Sequence, residues 1–228
     1  MSWGILRHVI AFGGNSVIKL YDYWRSSACY RLRIAFNLKG VAFESEEVNL
    51  HPDVLAQNSD VYRALNPQQR VPTVIIDGEV HSQSMAILDW LEEAYPTPPF
   101  LPSAPHDRLR ARAFADTVGC DIHPLNNSSV LKYLREDFAA TPEAVTAWYG
   151  TWVLRGFEAL EAHARKSTTH YLFGDQAGMA EICLIPQVYN ARRFDLDLSA
   201  FPTLLDVDRK CNELPAFQAA TPEAVKPA

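Results

Sequence analysis

Nowhere in these 228 residues does an apolar stretch run for the roughly 18 residues that a membrane-crossing helix needs, so no segment reads as one. Cysteine is sparse as well. Cys29, Cys120, Cys183 and Cys211 are scattered along the chain, with no C-x-x-C pair or other metal-type spacing. Unclustered thiols fit reduced side chains in a cytoplasmic protein, and no metal is expected. Positive charge is in deficit, 21 Lys and Arg against 27 Asp and Glu, so no basic face for nucleic acid is implied. Residues 1–16 carry Arg7 as their only Lys or Arg and too short an apolar run for a secretory or transit signal; they read as a disordered extension. No internal repeat is visible.

Apolar material is plentiful, at 48% of residues, which is ample for one large domain or two small ones. The most informative stretch is 23–36, YWRSSACYRLRIAF, which follows a short apolar strand at 17–21 and opens a helix. Tyr30, Ile34 and Leu38 recur at spacing four on one face, and Gly40 stands where the helix must stop in a left-handed residue. Ser26 and Ser27 at this strand-to-helix junction place hydroxyls and free backbone N–H groups around one spot, an anion site or an ordinary helix cap. Arg25, Arg31 and Arg33 make the neighbourhood more electropositive. Cys29, in the first turn, would carry an acidified thiol.

The first part of the chain alternates strand and helix. A strand at 43–48, a loop and helix at 53–65, a hairpin turning at Asp77-Gly78 and a helix at 84–95 give the order β-α-β-α-β-β-α, with an antiparallel edge on a mixed sheet. The proline-rich run 96–105 ends that unit. Beyond it everything reads as helix: a long one over 107–137 kinked at His123-Pro124, one opening at Thr141-Pro142, and others at 179–194 and 203–213. Trp148, Trp152, Phe157 and Leu160 are spaced to face a core, and the tail from Thr221 reads as frayed. The domains expected are thus 17–98 and 106–228, after the extension 1–16.

An α/β unit, a proline linker and an all-α second half resemble the glutathione transferase superfamily. Five islands narrow the resemblance to the zeta class, the maleylacetoacetate and maleylpyruvate isomerases: 31–40 (RLRIAFNLKG), 65–73 (LNPQQRVPT), 83–87 (QSMAI), 119–127 (GCDIHPLNN) and 186–194 (PQVYNARRF). The resemblance implies a thioredoxin-like first domain, an all-helical second domain, a homodimer, and glutathione as the cofactor. It places Ser26 beside the glutathione sulfur with Ser27 and Arg31 close by, Val71-Pro72 at a cis-proline turn facing the cysteinyl part, and Gln83-Ser84 on the γ-glutamyl carboxylate. Gln57 falls at the glycine end, and His123, Asn127 and Ser129 line the cleft from the second domain. Three features depart from the pattern, one being Ser27-Ala28-Cys29-Tyr30 after Arg25-Ser26, where maleylpyruvate isomerases tend to have glycine and then small polar residues. Ala28 stands where the family often has cysteine, and Gly178 opens a helix where a Ser or Thr cap is usual.

The implied reaction is isomerisation of a cis double bond in a dicarboxylic keto acid, by reversible addition of a thiolate. A free thiol near pKa 8.5 is ionised only to a few per cent at neutral pH. Lowering that pKa by about two units takes about 2.7 kcal/mol of anion stabilisation. A hydroxyl hydrogen bond to a charged acceptor contributes roughly 1.5–3 kcal/mol and a helix N-terminus roughly 0.3–1 kcal/mol. Ser26 and the helix start therefore suffice without a protein base. Arg25, His123 and Arg193 are the candidates for the substrate carboxylates and developing charge. Glutathione transfer onto haloacids and a non-catalytic transferase-like binding module are the competing readings, and retention of Ser26, Gln83 and Ser84 speaks against the latter.

Overall fold

The computed structural model describes residues 17–51 and 53–227, and the expected extension 1–16 lies outside them. At its centre is β1 (Ile18–Asp22), whose residues alternate between buried and half-buried as a strand covered on one face more than the other requires. The sheet runs β2-β1-β3-β4. Strand β2 (Glu44–Glu47) is parallel to β1, while β3 (Thr73–Ile76) and β4 (Glu79–Ser82) are antiparallel neighbours. Every residue of β2 is exposed, and its three glutamates guard the edge against further pairing. Asp77 (φ 52°) and Gly78 (φ 90°) make the tight β3–β4 turn that the Asp-Gly pair foretells.

Helix α1 (Ser27–Lys39) crosses between β1 and β2 and ends at Gly40, φ 64°. The expectation of a single apolar face is corrected here: 11 of its 13 residues are buried. The reason is that α1 is enclosed by α3 (Ser84–Ala94), α7 (Met179–Arg193) and the short α9 (Pro215–Gln218), so no side remains for water. Two of its buried cations are paired. Arg33 reaches both carboxylate oxygens of Asp22 at 2.7 and 2.9 Å and donates to the carbonyls of Ala220 and Trp24. Lys39 donates to Glu92 Oε2 at 3.0 Å and to the Pro98 carbonyl at 2.6 Å. Glu92 in turn accepts from the backbone of Phe100 and Leu101, so the proline-rich connection is clasped to α3. Between the strands, α2 (Asp60–Leu65) follows a short 3₁₀ turn, Ala56–Asn58.

The long helix expected over 107–137 is instead four pieces: α4 (Pro105–Asp116), a π-type turn (Thr117–Ile122), a 3₁₀ turn (Pro124–Asn126) and α5 (Ser128–Glu136). Pro124 has no N–H to continue the ladder, and Asn127 starts α5 afresh by accepting from Ser129 N at 3.0 Å. Helix α6 (Pro142–Ala164) opens on the Thr141 cap as its sequence foretells. Its Phe157 and Leu160 are buried, whereas Trp148 and Trp152 are only half-buried, a correction to the core face expected for them; Trp148 Nε1 donates to the Leu125 carbonyl at 2.9 Å. Helix α7 runs through the core with 11 of 15 residues buried, and α8 (Pro202–Asn212) packs beside it.

At the start of α7 a Cβ on Gly178 would lie 2.3 Å from the Phe100 carbonyl oxygen, so the usual Ser or Thr cap has no room. Glu181 compensates from within the helix, accepting from Gly178 N at 2.8 Å and Leu172 N at 2.7 Å. The tail is the remaining correction. It forms α10 (Pro222–Val225), with Thr221 as cap, Tyr189 donating to Glu223 at 2.6 Å and Lys226 over the Trp24 ring.

Candidate active site

Strand β1 delivers the chain into a turn, Ser26 N donating to the Tyr23 carbonyl at 2.8 Å, and α1 begins at once. Ser26 is extended (φ −70°, ψ 120°), and its Oγ accepts from Cys29 N at 3.3 Å. That bond uses a lone pair of the hydroxyl oxygen, and the hydroxyl proton remains available to donate. The neighbouring serine is placed differently. Ser27 is buried, with Oγ 2.9 Å from His123 Nδ1, a bond that joins the two halves of the molecule. Of the pair, Ser26 is the half-buried one and Ser27 the internal one.

A second helix start lies close by. Ser84 opens α3 after Gln83, whose φ of 71° turns the chain sharply, and the Ser84 hydroxyl accepts from Arg31 Nη1 at 3.2 Å. Arg31 is four residues beyond Ser27 on α1, and its Nε and Nη2 are buried without partners among the described residues. The Val71–Pro72 bond is cis, as the resemblance implies. Gln83 Nε2 donates to Gln68 Oε1 at 2.9 Å, and Gln57, on the 3₁₀ turn, has a buried Oε1 without a partner.

His123 follows the π-type turn, which carries its ring to Ser27. Burial first, then the charges of Arg31 and Arg70, lower its pKa to about 3, so at neutral pH it is an uncharged hydrogen-bonding group and not a cation for a carboxylate. Asn127 and Ser129 use their polar atoms on each other as the cap of α5, Ser129 Oγ donating to Asn127 Oδ1 at 2.9 Å. Arg25 donates to the Tyr23 hydroxyl at 3.2 Å and lies over the Trp24 ring. Exposed Arg193 donates to Asn190 Oδ1 at 3.1 Å. The charges of Arg25 and Arg193 both act on the Tyr189 phenol, which places these arginines around one side chain. Among the described residues neither forms an ion pair, whereas adjacent Arg192 is held by buried Asp208 at 2.7 Å.

Cys29 overturns its expectation. It is fully buried, and burial, reinforced by Asp22, pushes its thiol pKa far up, which outweighs the helix start and Arg33. Three residues at the site were not singled out from sequence: Arg70, whose charge acts on His123, Gln68, and Tyr189. All three lie inside motif islands that were recognised, so proximity to a motif was the available signal. Among the described residues no group of three or more His, Cys, Asp or Glu could hold a metal ion.

Comparison with known proteins agrees with this fold. Residues 20–99 match the glutathione S-transferase N-terminal domain and residues 142–216 the C-terminal domain of the same family. A maleylpyruvate isomerase of Ralstonia sp. is 48% identical over 209 residues, 91% of this chain and 98% of that protein. The chain belongs to the glutathione S-transferase family. Within it, the fold superposes with a TM-score of 0.88 on a holo structure of maleyl pyruvate isomerase, a bacterial zeta-class glutathione S-transferase, at 47% identity over 92% of this chain and 99% of that one. A maleylacetoacetate isomerase from Anaeromyxobacter dehalogenans 2CP-1, with glutathione bound in its active site, matches with a TM-score of 0.83 at 40% identity over 93% and 98% of the two chains.

Proposed function

We propose that the protein is a glutathione-dependent cis–trans isomerase of a maleyl-keto acid, acting on maleylacetoacetate to give fumarylacetoacetate in aromatic amino-acid breakdown. The observation that carries this reading is the Ser26 hydroxyl at the N-terminus of α1, whose oxygen accepts from Cys29 N and whose proton remains available to donate to a sulfur bound there. Maleylpyruvate is the second reading, favoured by the 48% identity to the Ralstonia enzyme.

The donor set fits glutathione. Two helix starts lie within reach of one another, each opening with a serine, and buried Arg31 and half-buried Gln57 carry buried polar atoms without a hydrogen-bond partner among the described residues. Glutathione, when bound, supplies a thiolate whose reversible addition turns the conjugated double bond into a single bond free to rotate. Ser26 Oγ and the first N–H groups of α1 hold that sulfur as the anion. The backbone of Val71, before Pro72, pairs with the cysteinyl part. Gln83, Ser84 and the start of α3 hold the γ-glutamyl carboxylate, and Gln57 the glycine end. Arg25 and Arg193 take the substrate carboxylates by bidentate pairing. Neutral His123, fixed by Ser27, offers a hydrogen bond rather than a charge, with Asn127 and Ser129 forming the wall beyond it. Free cysteines, three buried and Cys120 exposed, support a cytoplasmic setting, and the family's habit supports a homodimer.

Steady-state turnover of maleylacetoacetate and maleylpyruvate by one purified sample, with and without glutathione, tests the reading. Glutathione-dependent formation of the trans product supports it, and the larger kcat/KM names the substrate. Turnover that ignores glutathione refutes it.

A further inference from the structure

Helix α1 buries three cations, Arg31, Arg33 and Lys39, each less than a tenth exposed. Two follow the rule that an interior charge has a carboxylate partner: Arg33 has Asp22 and Lys39 has Glu92. Arg31 breaks it. Among the described residues its one bond goes to the Ser84 hydroxyl, its Nε and Nη2 have none, and the titratable groups coupled to its charge are the imidazole of His123 and the thiols of Cys29, Cys120 and Cys183. Burial lowers the Arg31 pKa, and no carboxylate restores it.

An unpaired guanidinium at 2% exposure weakens the fold, and a neutral side chain of similar length would fold better. The charge is left for a counter-ion that arrives with a ligand. The place where that counter-ion would sit is indicated by Ser84. Its Oγ accepts from Arg31, so its own proton points away, and it stands at the first residue of α3 where backbone N–H groups are also free.

We infer that Arg31 is a positioning residue for the α-carboxylate of the γ-glutamyl group, an internal cation that acts on that anion through the Ser84 hydroxyl without touching it. This rests on the reading that glutathione is held between the starts of α1 and α3. The consequence is selectivity. Arg31 discriminates between thiol peptides that carry the α-carboxylate and those that lack it, and it contributes nothing to the hold on the rest of the tripeptide.

The test uses the full chain, titrated calorimetrically with glutathione and with γ-aminobutyryl-cysteinyl-glycine, which is glutathione without the α-carboxylate. Arg31→Gln keeps a donor for Ser84 and removes the charge; Arg31→Lys keeps the charge. The parent is expected to prefer glutathione. Arg31→Gln should weaken glutathione about tenfold or more, leave the analogue nearly unchanged, and melt no lower than the parent in the absence of peptide. Arg31→Lys should keep most of the preference. Equal losses for both peptides in Arg31→Gln, or a lower melting temperature with the preference intact, would make Arg31 structural and overturn the inference. A parent that binds both peptides equally overturns it alone, while a parent that binds neither overturns the glutathione reading with it.

Discussion

Replacing Ser26 separates two roles that one hydroxyl performs. Its oxygen caps α1 by accepting from Cys29 N at 3.3 Å, and its proton is the proposed donor to the glutathione sulfur. Ser26→Ala removes both, and loss of an N-cap costs roughly 0.5–2 kcal/mol, with about 2–4 °C of melting temperature per kcal/mol in a protein of this size. Ser26→Gly removes the hydroxyl but costs the cap only a few tenths of a kcal/mol. A hydrogen bond to a charged acceptor contributes about 1.5–3 kcal/mol, so the bound thiol pKa should rise by about one to two units in either variant. Turnover at neutral pH should then fall about tenfold or more in both, while the melting temperature falls only for alanine. The thiol pKa is read from the ultraviolet absorbance of the thiolate as pH is raised with peptide saturating. A glycine variant with the parent's thiol pKa and turnover would refute the assignment and leave Ser26 as a helix cap.

Cys29→Ala should leave glutathione-dependent turnover within about twofold, since burial holds that thiol protonated; loss of activity together with parent activity lacking a glutathione requirement would contradict this. Arg193→Met should raise KM for the acid substrate and leave glutathione affinity unchanged, whereas Arg192→Met should instead lower stability by about 1–3 kcal/mol, because it leaves buried Asp208 with Asn212 and no counter-charge; kinetics with each substrate varied, plus urea unfolding, separates the two. His123 has its folded pKa lowered to about 3, so its contribution to stability is complete above the unfolded value near 6.5 and is lost as pH falls from there toward 3. Relative to His123→Gln, the parent should lose a few kcal/mol of stability across that window, and parallel pH profiles would show that the ring is freely protonated.

What was legible in the sequence is what local physics decides. The Ser26 cap, the Gly40 stop, the Asp77-Gly78 turn and the Thr141-Pro142 helix start are set by residues adjacent in the chain, and all stand where they were expected. Failures occur where a distant element decides. Helix α1 carries Arg31, Arg33 and Lys39 and so reads as one-faced, but the second half wraps its far side, while Ser84, Asp22 and Glu92 of the first half meet the three cations. Cys29 reads as an acidified thiol from its place in a first turn, yet packing seals it from water. The tail from Thr221 has little periodicity, and only the fold reveals that Arg33 needs the Ala220 carbonyl and Tyr189 meets Glu223. Gly178 reads as a missing cap until the Phe100 carbonyl is found in the way.

The two serines that begin α1 and α3 solve one problem in the same manner. A hydroxyl that is to stabilise an anion must donate, yet at a helix start it is drawn to act as an acceptor for backbone N–H groups. Here the oxygen of each accepts from the protein itself, Ser26 from Cys29 N and Ser84 from Arg31 Nη1, which leaves both protons free to donate to the glutathione proposed to bind there. The difference lies in the charge behind them. Ser26 has only the helix start at its back, suited to a thiolate that must be released as a leaving group in every turnover. Ser84 has a full guanidinium, suited to a carboxylate that stays bound while the chemistry proceeds. A thiolate held as firmly would be a poorer nucleophile, since stabilising an anion also lowers its reactivity. The stronger anchor therefore belongs at the end of glutathione that does not react.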